Sequence, residues 1–397
     1  MATADSSISD LTSRPARSGY ALLVLLVSLP HDQVELLVSR LSGLFAPDDL
    51  LIATQNGFAP DSWPGVNVVS APATSSTWSL TAADFVSAYE LAQKHDARNI
   101  LLLGPESGSL LPAALRQLTS SVLDGSVDLA LPRYQIPAHA GLLNSAILYP
   151  LTRALFASRI RFPVAIDLGL SLRMAERMAA AARRFTSLGQ NDAFLWPVAE
   201  AVVAGFSIGE FEVGARALPQ PPDPDVRTIL ALVAGSLFAD IEFKAAYWQR
   251  PRRLPPAWAT KSSTPSSDGS SDVASMVEAF RLAYSNLLEI WALVLPPQSL
   301  LGLKRLSMLD AANFQMPESL WARIVYDFVV AYRLRTINRS HLLGALIPLY
   351  LAWVAGHINV SKSGADPERH IEAVAAAFDA DKPYLVSRWR WPDRFNP

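Results

Sequence analysis

Residues 99–131, NILLLGPESGSLLPAALRQLTSSVLDGSVDLAL, decide the fold class. The stretch opens on the apolar run NILLL and closes on VDLAL, both of strand length. Between them Leu111, Leu115, Leu118 and Val122 recur at helical spacing and share one face. Pro112 falls in the first turn, where its missing N–H costs nothing. Strand, helix, strand is the repeating unit of an α/β sheet. The same alternation runs back towards the N-terminus. Apolar runs stand at 21–28 (ALLVLLVS), 49–54 (DLLIAT) and 66–70 (VNVVS). Val34, Leu37, Val38 and Leu41 make one helical face, and Phe85, Tyr89 and Ala92 make another after a Thr81-x-x-Asp84 capping start. Nearly continuous apolar character predicts strands buried on both faces, as in a parallel sheet. The expectation is a doubly wound α/β domain over residues 19–248.

Towards the C-terminus, 148–156 and 172–184 read as helices and 206–213 as a strand. Residues 226–248 read as one long helix. Residues 249–271 are rich in Pro and Ser and read as a linker or surface loop. From 272 to 397 the pattern is helical only. Val273, Val277, Phe280, Tyr284, Leu288 and Trp291 form one stripe, and Trp321, Ile324, Val325, Phe328 and Tyr332 form another. Such stripes pack inward. The basic–aromatic run 388–391 (RWRW) is expected to dock on the body, and residues 1–18 to be a disordered tail.

Composition narrows the function. Of 397 residues 50% are hydrophobic and 18% charged, which excludes a disordered chain. Lys and Arg number 34 against 36 Asp and Glu, a net charge of −2. That balance argues against nucleic-acid binding and against a polybasic membrane anchor. The absence of cysteine excludes disulfides, zinc–thiolate sites and cysteine nucleophiles. The apolar run at 20–28 lacks a following small-residue cleavage site, so it reads as a strand rather than a signal peptide. Residues 342–358 carry Pro348 and fall short of ~18 uninterrupted apolar residues. No membrane span and a cytoplasmic location are expected.

Open α/β sheets bind ligands beyond the carboxyl ends of their strands. Those ends here read SLPHD at 28–32, LGPESGS at 103–109 and PRY at 132–134. Neither a dinucleotide fingerprint nor a P-loop occurs. A G-x-S-x-G match at 205–209 leaves a helix and enters a strand, the reverse of a nucleophile elbow, and is a chance match. Asp167 lies in the apolar segment RIRFPVAIDLGLS, 159–171. A buried carboxylate costs several kcal/mol unless partnered. Backbone amides, Arg159 or Arg161, or a ligand hydroxyl must therefore meet it. Asp192 precedes an apolar stretch at 193–204 and reads as its helix N-cap. His139, between the fifth strand and this segment, is the histidine best placed for chemistry.

The stretch PRYQIPAHAGLLNSAILYPLTRALFASRIRFPVAIDLGLS, 132–171, resembles bacterial family-2-like glycosyltransferases related to mannosylglycerate- and glucosylglycerate-type synthases. Pro132, Tyr134, Asn144, the PLTRALF run at 150–156, Arg159, Arg161, Pro163, Asp167, Gly169 and Ser171 carry the likeness. The resemblance implies a glycosyltransferase A fold with a C-terminal all-helical region. It implies a nucleotide-sugar donor held near Pro30, Glu106, Arg133, Arg159 and Arg161. A small polar acceptor, such as a glycerate-type compound, would meet Tyr134 and Asn144. Asp167 and Asp192 would orient reacting hydroxyls as catalytic groups. A divalent Mg or Mn ion, held by an Asp-x-Asp motif, would carry the charge of the leaving diphosphate. The chain departs from that pattern. Gly104-Pro105-Glu106 stands where Asp-x-Asp is expected, leaving Glu106 as sole candidate ligand. No histidine occurs between His139 and His341, and ATSSTW at 73–78 replaces a basic donor loop. Two functions follow as expectations: a nucleotide-sugar-dependent glycosyltransferase, or a catalytically inactive relative that binds or regulates.

Overall fold

The apolar runs of the first half line up as strands, and the segments between them cover both faces of the resulting sheet. The structure, a computed structural model, describes residues 19–55, 63–73, 76–190, 192–219, 225–255 and 272–392. The expected tail at 1–18, most of the linker and part of the donor loop lie outside the described residues. The α/β portion contains β1 (Leu22–Leu26), α1 (His31–Ser42), β2 (Leu50–Thr54), β3 (Asn67–Ser70), α2 (Ala82–Lys94) and β4 (Asn99–Leu103). It continues with α3 (Pro112–Leu123), β5 (Leu129–Gln135), α4 (Tyr149–Phe156), β6 (Asp167–Ser171), α5 (Leu172–Thr186), α6 (Pro197–Ala204) and β7 (Ile208–Ala215). The helical portion contains α7 (Val226–Phe243), α8 (Ala245–Trp248), α9 (Val273–Ala292), α10 (Pro297–Ser307), α11 (Glu318–Leu334), α12 (Arg339–Lys362) and α13 (Pro367–Arg390).

The seven strands order as β3-β2-β1-β4-β6-β5-β7. The α/β class and the helical C-terminal region agree with the sequence. The wholly parallel sheet does not: β6 runs antiparallel to both β4 and β5. Burial on both faces produces the same apolar run whichever way a strand points, so the pattern was blind to direction. The connection from β5 to β6 rises over the rim through α4 and returns at the same rim, which reverses the strand. Asp167, first residue of β6, thereby lies opposite Leu103, last residue of β4.

Two helices also differ from expectation. The helix expected over 193–204 begins only at Pro197, and the one expected over 226–248 breaks at Lys244. That lysine leaves helical geometry and turns inward to Glu200 and Asp240. Elsewhere α1 packs on α3, and α2 on α5, as layers against the sheet.

The aromatic stripes face inward as predicted, except that Leu288 is exposed. Trp248, Trp291, Trp321 and Trp353 are fully buried. Each such ring removes ~150–250 Å² from water, on the order of 4–6 kcal/mol before ordering entropy. Trp321 Nε1 also donates to Ala146 O at 2.8 Å, fastening the helical region to the α/β half. Trp389 is buried edge-on to Trp248, 5.0 Å away, whereas Trp391 stays exposed. By length and composition α12 could cross a membrane, but 67% of its most apolar window is buried inside the helical core.

Candidate functional site

The carboxyl ends of β4 and β5, the amino end of β6 and the residue after β7 converge on Asp167. Its side chain has no exposed surface, and neither has that of Arg216. Arg216 Nε donates to Asp167 Oδ2 at 2.9 Å and Nη2 donates to Oδ1 at 3.2 Å. Tyr134 O–H donates to Oδ2 at 2.9 Å, and the Gly104 N–H donates to Oδ1 at 3.3 Å. Arg216 Nη2 also reaches Pro105 O at 2.7 Å, and Nη1 reaches Ala217 O at 2.9 Å. Burial opposes the guanidinium's charge, but Asp167, Tyr134 and Glu106 together hold its pKa above the ordinary value. Burial, with the neighbouring Asp167 charge, pushes the Tyr134 phenol well above its usual range. The triad is thus a phenol, a carboxylate and a guanidinium, each satisfied by the others.

Local sequence explains the convergence. A Cβ on Gly104 would stand 2.7 Å from Ile166 O, so only glycine lets the end of β4 approach the start of β6 this closely. The register of β5 on β7 pairs Gln135 with Ala215, which carries Arg216 just past the rim. Of the partners expected for Asp167, a backbone amide is present at Gly104, while neither Arg159 nor Arg161 is its cation. The partner is Arg216, and its signal was its place directly after the last strand.

Glu106 sits beside this triad with φ of 64°. Its carboxylate is exposed and accepts from Gln33 Nε2 at 3.2 Å. Arg40 Nη1 donates to Gly108 O at 2.8 Å and holds the same turn against α1. A divalent cation needs several carboxylate or phosphate oxygens. Here the Glu106 carboxylate is exposed, while Asp167 beside it already has a fixed internal cation. Among the described residues no group of three or more His, Asp or Glu side chains could hold a metal. The rim thus offers a Mg or Mn ion the Glu106 carboxylate, and further oxygens would have to come from a bound phosphate.

The ends of β1 and β2 carry a second polar chain. The Ser28 N–H, on a residue with φ of 52°, donates to Gln55 Oε1 at 3.0 Å. Ser28 O–H donates to Ser76 O at 2.7 Å. Gln55 Nε2 reaches Asp84 Oδ1 at 3.3 Å, while Asp84 Oδ2 accepts from the Thr81 N–H at 2.8 Å, the foreseen capping contact.

The remaining predicted residues scatter. Arg161 is buried, forks onto Glu368 of α13 at 3.0 and 3.1 Å, and lies over the rings of Tyr149 and Phe162. Arg159 donates to Pro255 O at 2.9 Å and lies 3.9 Å from Glu372. Both serve the seam with the helical region, where their partners lie on α13 and in residues 249–255. Asn144 Nδ2 donates to Arg161 O at 2.9 Å and belongs to the same seam. Arg133 pairs with Glu210 and Glu212 of β7, both at 3.3 Å. Pro30 is the N-cap of α1. Asp192 is exposed in the turn before α6, whose N-cap is Trp196, so its capping role is not observed. His139 stands near His357 of α12, where its charge would oppose protonation of that residue. Ser207 O–H donates to Asp128 Oδ2 at 2.9 Å, in line with a chance G-x-S-x-G match.

No family model matches the chain. No curated protein matches it either. Among solved structures the chain is similar to glucosyl-3-phosphoglycerate synthase from Mycobacterium tuberculosis in complex with phosphoglyceric acid, at 14% identity over 57% of this chain and 81% of that one, with a TM-score of 0.35. The same enzyme with Mn2+, uridine-diphosphate-glucose and phosphoglyceric acid gives 13% identity over 57% and 80%, with a TM-score of 0.37. A structure described as a mycobacterial protein gives 13% over 57% and 76%, with a TM-score of 0.36.

Proposed function

We propose that this chain is a glycosyltransferase-A-type scaffold that acts by binding rather than by metal-assisted sugar transfer. The observation that carries this reading is the buried Arg216–Asp167–Tyr134 triad. Metal-assisted transfer needs carboxylates open to a cation that in turn meets the departing diphosphate. At this rim the cation is the protein's own guanidinium, held between Asp167 and Pro105 O with no surface of its own. It cannot touch a ligand, so its charge stabilises the rim and nothing outside it. The Ser28–Gln55–Asp84 chain supports the same reading, since the polar groups at the ends of β1 and β2 are spent on one another. The resemblance over 132–171 supports the scaffold, because the positions that carry it are largely those that pack α4 and β6.

The competing reading is transfer of a sugar from a nucleotide-sugar donor to a small glycerate-type acceptor. Glu106 favours it: an exposed carboxylate sits at the turn after β4, beside the triad.

Calorimetry on the full chain with UDP-glucose, GDP-mannose and UDP, each with and without Mn²⁺, separates the two. A scaffold gives no Mn²⁺-dependent heat and no release of free UDP or GDP when a glycerate-type acceptor is added. Metal-dependent binding that Glu106→Gln abolishes, or any turnover, would overturn the proposal.

A further inference from the structure

A cavity of about 550 Å³ opens at the seam between the two halves, where α4, α13 and residues 249–255 meet. It is large enough for a small metabolite. Four of its lining residues are cationic: Arg153, Arg252, Lys382 and Arg390. Arg153 is neutralised, by Glu372 at 2.6 Å and Asp379 at 2.7 Å. The other three have no carboxylate within 4 Å among the described residues. Arg252 stacks on the Tyr247 ring, 3.7 Å from its centre, leaving the edge of the guanidinium for another partner. Arg390 Nε donates to the neutral Gln249 Oε1 at 3.0 Å. Lys382 is half-buried, and burial together with the charge of Arg252 lowers its pKa, against the opposing pull of Asp379. The ammonium is thus desolvated without a bonded counter-charge. Leu254, Pro383 and Val386 also line the cavity and give it an apolar wall.

We propose that this cavity binds a small organic phosphate, its phosphate ester held by Lys382, Arg252 and Arg390 and its apolar or ring body laid against Leu254, Pro383 and Val386. Three cationic groups converging on one space suit a dianion better than a single carboxylate. A guanidinium edge offers the paired donors that phosphate oxygens take. The wall excludes a bare hydrated ion as best occupant, since it gains only by covering apolar surface. The site uses none of the rim residues, so it stands whether or not the rim transfers sugar. Its occupant would bridge residues 249–255 to α13 and tighten the seam.

The test is calorimetry and thermal unfolding of the full chain with phenyl phosphate, inorganic phosphate, phenol and citrate in 50 mM salt. Phenyl phosphate is expected to bind at least tenfold more tightly than inorganic phosphate or phenol, and to raise the unfolding temperature. Both effects should weaken at 200 mM salt. Lys382→Gln and Arg252→Ala should each reduce affinity about tenfold or more while leaving the unliganded unfolding temperature within a few degrees. Arg252 is exposed, so its variant folds even where Lys382→Gln fails to. The proposal is overturned by absence of phenyl phosphate binding at millimolar concentration, or by binding that neither substitution alters. Citrate binding more tightly than phenyl phosphate overturns the phosphate assignment, and equal affinity for inorganic and phenyl phosphate overturns the role of the wall.

Discussion

Asp167 and Arg216 show what a single pair can decide. Two charges with no exposed surface hold each other, so removing one strands the other, at about 3–5 kcal/mol. Arg216→Ala should therefore lower the urea midpoint sharply. Arg216→Met combined with Asp167→Asn should recover most of that loss, because no unpaired charge remains. Equal midpoints for Arg216→Ala and the double variant would show that a stranded Asp167 charge is not the source of the loss. The sequence made half of this legible: a carboxylate in the run VAIDLGL announces that something must meet it. The identity of the partner was hidden because it sits 49 residues away and reaches Asp167 only through the register of β5 on β7. Arg161, six residues off, was nearer in the chain, but Glu368 in α13 claims it. Pairing over such distances leaves no local periodicity to read.

Strands and helices were more legible than their directions. Apolar runs place β1 to β4 within a residue or two, since burial on both faces requires them, whereas β5 continues four residues past its run, to Gln135. The reversal of β6 was not legible, because no residue pattern encodes strand polarity. The element depends instead on Gly169. A Cβ there would stand 2.4 Å from Leu118 O of α3 and 3.2 Å from the Ala130 Cβ of β5. The helix crosses β6 with no room for a methyl group. Gly169→Ala should cost ~1–3 kcal/mol through displacement of α3, read as a fall in the denaturant midpoint. A change under about 0.5 kcal/mol would mean that α3 withdraws freely, contrary to the packing described.

At the scale of the molecule, acid sensitivity should originate far from the rim. His357 and His370 lie 2.7 Å apart, nitrogen to nitrogen, stacked on Trp353 in the helical core. Burial above all, with His370, His139 and Arg161 nearby, lowers the His357 pKa to about 4. An unfolded histidine titrates near 6.5. Between those values the unfolded chain takes up a proton that the folded one refuses. Stability is complete above pH 6.5 and declines as pH falls towards 4, by about 3 kcal/mol from this residue. Burial pushes Asp327 the opposite way, to about 7, so its contribution declines as pH rises towards that value. The difference in stability between wild type and His357→Gln, followed from pH 7.5 to 4.5, isolates the histidine. A difference that stays flat would remove it as the acid sensor. One more consequence lies in the order in which the protein is made. Arg153 and Arg161, between β5 and β6, are neutralised by carboxylates 207 to 226 residues further along. On the ribosome those two cations emerge long before their counter-charges exist. The α/β half must wait, with its seam open to water, until nearly the last helix has left the exit tunnel, and a chain released early has no way to close.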